Sequence, residues 1–274
     1  MRKRPLRAAL FYTCATAVAL LVMVPFFWMV STSLKERGAL LAVPVQWIPA
    51  RASLAAYAKL FRLFPFGRAV LNSSIFSVSI TLVTLLSASM AAFAFSKIEF
   101  RGREGVFKAF LFTMMIPGQV TMIPLFIVMN KLGLVNTYQG LILPSVFNSF
   151  AVFMLRQQML TIPDDYLDAA HMDGASNWYI YGRIVLPLSS SILATLGVLT
   201  FMGTWNDYFW PLIMLSDKNK MTLPIALSQL NGQYTSEYNV LMAGALISML
   251  PIVALYLAAQ KYFKAGLQLG GLKG

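Results

Sequence analysis

The feature that most constrains this chain is a set of six long runs almost free of charge. They are Ala8–Leu34, Ala69–Ser96, Ala109–Asn130, Leu132–Leu155, Ile184–Asn206 (running on past Asp207 to Leu215) and Tyr238–Gln260. A helix that crosses the hydrocarbon core needs ~20 mostly apolar residues. Lipid offers no water to backbone N–H and C=O groups, so each run must bond to itself and is expected as a helix. Composition agrees. The chain is 58% hydrophobic and 12% charged, about half the ~25% charged residues of a soluble domain. These features imply an all-α integral membrane protein with six transmembrane helices. Lys131 alone separates the third and fourth runs. Asn130, Gly133, Asn136 and Gly140 around it supply turn chemistry, which predicts a tight re-entry rather than one very long helix.

Net charge is +12. The basic residues flank the apolar runs, a distribution that suits a membrane surface rather than nucleic acid. The opening MRKRPLR looks like the start of a signal peptide. The run behind it is longer than the ~7–15 residues of a signal's apolar core, so an uncleaved first span is expected. With the N-terminus inside, thirteen Lys and Arg fall on inner segments and nine on outer ones. That bias puts both termini and the segment 156–183 on the cytoplasmic side. The chain then divides into a cytoplasmic N-terminus with the first span (1–34), an outer loop (35–68), a core of five spans (69–263) that includes the connecting loop 156–187, and a cytoplasmic tail (264–274). Cys14 is the one cysteine and His171 the one histidine, which excludes an internal disulfide and a multi-histidine metal site. No GxxxxGK[ST] is present, so a phosphate-cradling loop for ATP is excluded.

Three places inside the runs carry chemistry. The second run holds Ser73, Ser77, Thr81, Thr84, Ser87 and Ser89, which fits close helix packing or the lining of a polar pathway. In the third, MMIPGQVTMIP places Pro117, Gly118 and Pro124 where they interrupt the hydrogen-bond ladder. Gln119 at that break is a candidate pathway residue, or a local partner for freed backbone groups. The fifth run ends in TWNDYFWPL. Asp207 is the one carboxylate placed within a run, and such groups face a bundle interior or a water-filled cavity. Asn206 and Trp205 beside it complete the candidate substrate-pathway set. A structural hydrogen-bond node and an interfacial aromatic belt are the competing readings.

The remaining polar island is TIPDDYLDAAHMDGASNWYIYGRIVLP. It holds Asp164, Asp165, Asp168 and Asp173, four of the ten acidic residues. Thr161 is the expected N-cap of a short helix, with Asp164 three residues on. Acids in the first turn suit the helix dipole, Ala169 and Ala170 favour the helix, and Gly174 is its expected stop. The island then spells Asp168-Ala169-Ala170, Gly174, Ile184 and Leu186-Pro187. This spacing resembles the EAA loop of ABC importer permeases throughout, with Asp168 where the family pattern has Glu. MMIPGQVTMIPLF, TWNDYFWPL and the ending KAGLQLGGLKG resemble the carbohydrate-uptake, maltose-permease-type branch, so the resemblance covers nearly the whole chain.

The resemblance implies an ABC type I importer permease fold in a prokaryotic plasma (inner) membrane, with no covalent chemistry of its own. It also implies a second homologous permease subunit, two ATPase subunits that bind ATP and Mg, and an extracytoplasmic solute-binding protein. No cofactor is expected on this chain. Asp168, Ala169, Ala170, His171 and Gly174 would form the ATPase-coupling helix and its turn, and Ile184, Leu186 and Pro187 would fix the loop to the fifth span. The tail Gly266–Gly274 would reach the ATPases, and the outer segment Ser216–Glu237 would meet the binding protein. A sugar or oligosaccharide is the expected solute. Glycerol phosphate is the alternative, although no Lys or Arg lies within the runs. An ion-driven secondary transporter would need paired intramembrane carboxylates or an inverted repeat.

Overall fold

The computed structural model describes residues 3–36, 38, 40, 44–63, 65–233 and 237–270. In chain order the helices are α1 (Lys3–Ser33), α2 (Ala55–Leu63), α3 (Phe66–Lys97), α4 (Arg103–Thr113), α5 (Gly118–Lys131), α6 (Tyr138–Ile142) and α7 (Ser149–Leu160). Then follow α8 (Asp165–Met172), α9 (Asn177–Ile180), α10 (Leu186–Leu188), α11 (Ser190–Trp205), α12 (Phe209–Met214), α13 (Leu223–Gln233) and α14 (Tyr238–Gly270). No strand occurs among the described residues. The last residues of the tail, 271–274, and residues 234–236 of the outer segment lie outside them.

The six apolar runs are present in two forms. Ala8–Ser33, Phe66–Lys97 and Tyr238–Gln260 are single helices long and apolar enough to cross a membrane. The other three runs are bent helix pairs, which reach that length only together: α4 with α5 at 100°, residues 138–146 with α7 at 40°, and residues 177–188 with α11 at 77°. The expectation of one helix per run is corrected on this point. Pro117 lacks an N–H and cannot continue α4, so the chain turns through Met114–Ile116 and restarts at Gly118. Pro124, expected to interrupt as well, lies inside an unbroken α5. The fifth run also stops early, because α11 ends at Trp205 and α12 begins afresh at Phe209.

The chain forms two compact units, one of residues up to 67 with 226–251 and the other of 68–225 with the residues from 252 on. In the first, Lys35 is buried with its ammonium 4.0 Å over the Trp28 ring, and its carbonyl accepts from Asn239 Nδ2 at 3.0 Å. Lys59 pairs with Glu237. The side chains of α1 from residue 8 to 27 are exposed, as suits a helix whose surroundings are apolar.

The second unit carries two apolar clusters. One joins Phe95, Phe107, Leu155, Met159, Leu167, Ile180 and Val185. The other joins Phe76, Ile80, Met129, Leu141 and Met214. Hydroxyls of α3 bond to neighbouring segments. Thr84 Oγ1 donates to the Ser145 carbonyl at 3.1 Å and Ser87 Oγ to the Val146 carbonyl at 2.7 Å. Ser89 shares a 2.7 Å hydrogen bond with the Tyr181 hydroxyl, and Ser73 accepts from the Leu223 amide. Of these four α3 residues only Thr84 also lines the cavity described below.

At the end of α3, Lys97 is buried along its side chain and donates to the Ile162 carbonyl and the Asp164 carboxylate, both at 2.6 Å. Arg156 donates to the Phe95 carbonyl at 3.0 Å, pairs with Glu104 and lies 4.0 Å over the Phe107 ring. The re-entry after Lys131 is built as its turn residues predict. Gly133 and Asn136 take left-handed backbone, at φ 69° and 60°. Asn136 then clasps the far segment: its amide donates to the Met214 carbonyl and its side chain accepts from the Ser216 and Asp217 amides.

Two stability outcomes follow. A Cβ on Gly140 would lie 2.2 Å from the Leu134 carbonyl oxygen and 2.6 Å from Met214 Cε. Gly140→Ala should therefore cost about 1–3 kcal/mol, measured as a lower Tm of the detergent-solubilised protein. Lys97→Met removes a charged donor from a buried carbonyl, a loss of about 1.5–3 kcal/mol. Amide exchange over residues 162–168 should quicken at least ~tenfold, with exchange over residues 138–142 unchanged.

Candidate functional site

Two features of the second unit carry chemistry: the polar loop 161–187 and a cavity. The loop starts differently from its sequence-based reading. Thr161 does not cap α8. It closes α7 as that helix's C-cap, its hydroxyl donating to the Gln158 carbonyl at 2.7 Å. The residue before α8 is Asp164, which is held by Lys97. Pro163 after Ile162 explains the shift, since a proline disfavours helical backbone in the residue before it.

Gly174 ends α8 as expected, at φ 80°. The Gly174 amide donates to the His171 carbonyl and the Ala175 amide to the Ala170 carbonyl, both at 2.9 Å. That pair of bonds is a Schellman close. Ser176 then caps α9 by accepting from the Tyr179 amide.

Leu167 is the buried residue of α8, and Ala170 packs half-buried against the same cluster. Asp168, Ala169 and His171 are exposed. Met172 is 89% exposed and Trp178 69%, with Tyr166 and Tyr179 also exposed. These last three aromatics were missed by sequence reasoning. Their signal was the presence of large rings between polar neighbours, where an ordinary connector needs none. Exposed large rings on the acidic helix α8 and on α9 after it are the composition of a protein-contact surface rather than a solvated turn.

Beyond Ile180 the helix widens into a π turn over Tyr181–Val185, the Leu186 amide reaching back to the Tyr181 carbonyl. Pro187 explains the widening. Its ring would clash with the carbonyl four residues back, and an extra residue in the turn moves that carbonyl away. Val185 is fully buried, while Ile184 and Leu186 pack half-buried against the same cluster as Leu167. Of the eight loop residues singled out by sequence, Asp168, Ala169, Ala170 and His171 lie in α8, Gly174 closes it, and Ile184, Leu186 and Pro187 follow in the π turn and α10.

The cavity measures about 880 Å³. Its walls come from α3 (Phe76, Ile80, Thr84), from α5 (Gly118, Gln119, Thr121, Met122, Leu125), from residues within 141–151, from α11, and from Asp207, Phe209 and Trp210. Gln119 and Asp207 line it, so two of the four pathway candidates meet there. Trp205 does not. It is 2% exposed and stacks on Phe201, with 5.5 Å between ring centres. Asn206 also lies outside, its amide donating to the Met202 carbonyl at the end of α11. Asp207 is a hydrogen-bond node, its carboxylate accepting from the Trp210 amide at 3.4 Å to open α12, and it also lines the cavity.

Sequence reasoning also missed Thr200, Gly203 and Thr204, which share the cavity wall with Asp207. Thr200, Gly203 and Thr204 share one face of α11, and Asp207, two residues past its end, continues the i, i+3, i+4, i+7 spacing, a readable but unused signal. Thr137 and Asn148 cap α6 and α7 by accepting from the Gly140 and Ala151 amides. Asn148 also lines the cavity, so the break between the two helices presents polar groups to it.

Comparison with known proteins matches these features. Residues 84–268 fit the family described as binding-protein-dependent transport system inner membrane component. The arabinooligosaccharides transport system permease protein AraQ of Bacillus subtilis (strain 168) is 36% identical over 94% of this chain and 92% of its own. The sn-glycerol-3-phosphate transport system permease protein UgpE of Salmonella typhi is 37% identical over 74% of this chain and 73% of its own. In structure, a chain of a crystallised bacterial ABC transporter involved in the import of the acidic polysaccharide alginate superposes with a TM-score of 0.86. It is 26% identical, and the match covers 96% of this chain and 98% of that one. With the family's model spanning 84–268 and a relative aligned almost end to end, this chain belongs to the binding-protein-dependent transport system inner membrane components, as a multi-pass ABC importer permease of the carbohydrate-uptake type.

Proposed function

We propose that this permease forms one half of the pathway through which an ATP-driven importer moves a neutral sugar or oligosaccharide. The cavity carries the reading. Phe76, Phe147, Phe150, Phe209 and Trp210 give it aromatic faces, and Gln119, Asn148, Thr200 and Thr204 give it uncharged hydrogen-bonding groups. Sugars present both kinds of surface, apolar C–H faces and hydroxyl edges, and sites of this mixed character fit them. AraQ, named for arabinooligosaccharides, supports the same substrate class. A second reading, transport of glycerol phosphate, has one observation in its favour: the 37% identity to UgpE.

The loop 161–187 is the point where ATPase subunits act. Asp168, Ala169, Ala170, His171 and Gly174 form the contact helix and its stop, and Ile184, Leu186 and Pro187 tie it to α11. A push on α8 reaches the membrane helices through Leu167, because that side chain is buried among residues of α3, α7 and the π turn. The loop and both termini are cytoplasmic, as the distribution of Lys and Arg favours. ATP and Mg belong to the partner subunits, a second permease completes the pathway, and a solute-binding protein delivers from outside. The segment 216–237 and the tail 266–274 are the further contact regions, for the binding protein and the ATPases respectively.

The test is ATPase stimulation of the reconstituted complex with its binding protein, against a panel of neutral sugars and glycerol phosphate. Stimulation by neutral oligosaccharides is the expected result. Stimulation by glycerol phosphate alone would replace the first reading with the second. Within the same complex, Ala170→Glu and Gly174→Leu should leave membrane insertion intact. Gly174→Leu strains a left-handed position by about 1–2 kcal/mol. Each should lower uptake at least ~tenfold relative to ATP hydrolysis, a loss equivalent to about 1.4 kcal/mol of coupling. Normal uptake by both variants would remove the loop from the coupling path.

A further inference from the structure

We propose that Asp207 is a charge filter that keeps anionic solutes out of the cavity. The inference rests on the reading of that cavity as part of the solute pathway, and it assigns selectivity to one side chain of this chain. Among the described residues that line the cavity, Asp207 is the one with a formal charge, and no Lys or Arg joins it. The ion pairs of the described residues lie elsewhere, at Lys59–Glu237, Lys97–Asp164, Arg103–Glu104 and Arg156–Glu104. Among the described residues Asp207 therefore has no ion-pair partner. The carboxylate is fixed in place by the Trp210 amide at 3.4 Å. The neighbouring Asn206 amide, which could have donated to it, is turned to the Met202 carbonyl.

The physics of such a wall treats two solutes differently. An ionised carboxylate only accepts hydrogen bonds, so it suits the hydroxyl donors of a neutral sugar. Phosphate or uronate groups have nothing to donate and repel it. Aromatic walls such as Phe147, Phe209 and Trp210 thin the screening water, which lengthens the reach of that repulsion. Relatives of this fold named for glycerol phosphate or for an acidic polysaccharide show that the architecture itself does not forbid anions. Selectivity must then lie in individual lining residues, and the one charged residue is the natural place for it.

The experiment uses the whole permease–ATPase complex in lipid nanodiscs without binding protein, so that delivery does not decide the outcome. Calorimetry compares neutral trisaccharides (arabinotriose and galactotriose) with trigalacturonate at low and at high salt. The wild-type complex should bind a neutral trisaccharide at least ~tenfold tighter than trigalacturonate at low salt, and the gap should shrink at high salt. Asp207→Asn keeps the acceptor for the Trp210 amide and should close most of the gap. Gln119→Glu, at an exposed position of the same cavity, adds a second negative charge and should widen it. Equal binding of both classes by the wild type, or an unchanged gap in Asp207→Asn, overturns the filter while leaving the pathway reading intact. If no trisaccharide, neutral or acidic, binds any of the three complexes, the pathway reading itself fails and the filter with it.

Discussion

Every break in a membrane helix frees backbone groups that lipid cannot satisfy, and the structure depends on how those groups are met. At the break between α6 and α7 the Ser145 and Val146 carbonyls take their hydrogen bonds from Thr84 and Ser87 of α3. Thr137 and Asn148 accept from the amides that start the two helices. Without these side chains the bend would carry an unsatisfied cost at each group. With them, irregular backbone can stand at the wall of a cavity beside α3, which runs as a single helix.

The same stretch of chain serves both features of the site. From Asp165 to Trp210 the polypeptide passes through α8, the π turn, α10 and α11, and arrives at Asp207. One end presents an acidic helix with Tyr166, Trp178 and Tyr179 exposed on it and on α9, and the other end forms a wall of the cavity. The buried anchors between them, Leu167, Ile180, Val185 and Leu196, belong to a single apolar cluster. Loop and cavity are therefore neighbours along one continuous packed element rather than separate modules joined by a tether.

Much of this was legible in the sequence because it rests on local chemistry. The apolar runs, the stop at Gly174 and the turn at Gly133 and Asn136 follow from backbone conformations that few residues adopt. What was not legible depends on partners distant in sequence. Thr161 and Asp164 both have capping chemistry. Which of them stands at the start of α8 was decided by Pro163 between them and by Lys97, 67 residues before Asp164. Pro117 and Pro124 look alike on paper, yet one marks a 100° break and the other sits in an intact helix. Trp205 and Asn206 adjoin Asp207 in sequence, but α11 ends there and each side chain leaves in its own direction. Adjacency was the wrong guide, and helical spacing back to Thr200 was the better one.

The π turn gives the loop's spacing a geometric meaning. Nine residues separate Gly174 from Ile184, and one of them is the extra residue that the wide turn absorbs ahead of Pro187. In an α-helix each residue advances the face by about 100°. Because the wide turn absorbs the extra residue, removing one residue there would restore regular winding with the later residues in nearly the same phase, but it would bring the carbonyl four residues back against the Pro187 ring. The interval between glycine and proline thus makes room for a proline at the entry to the helices that lead to the cavity.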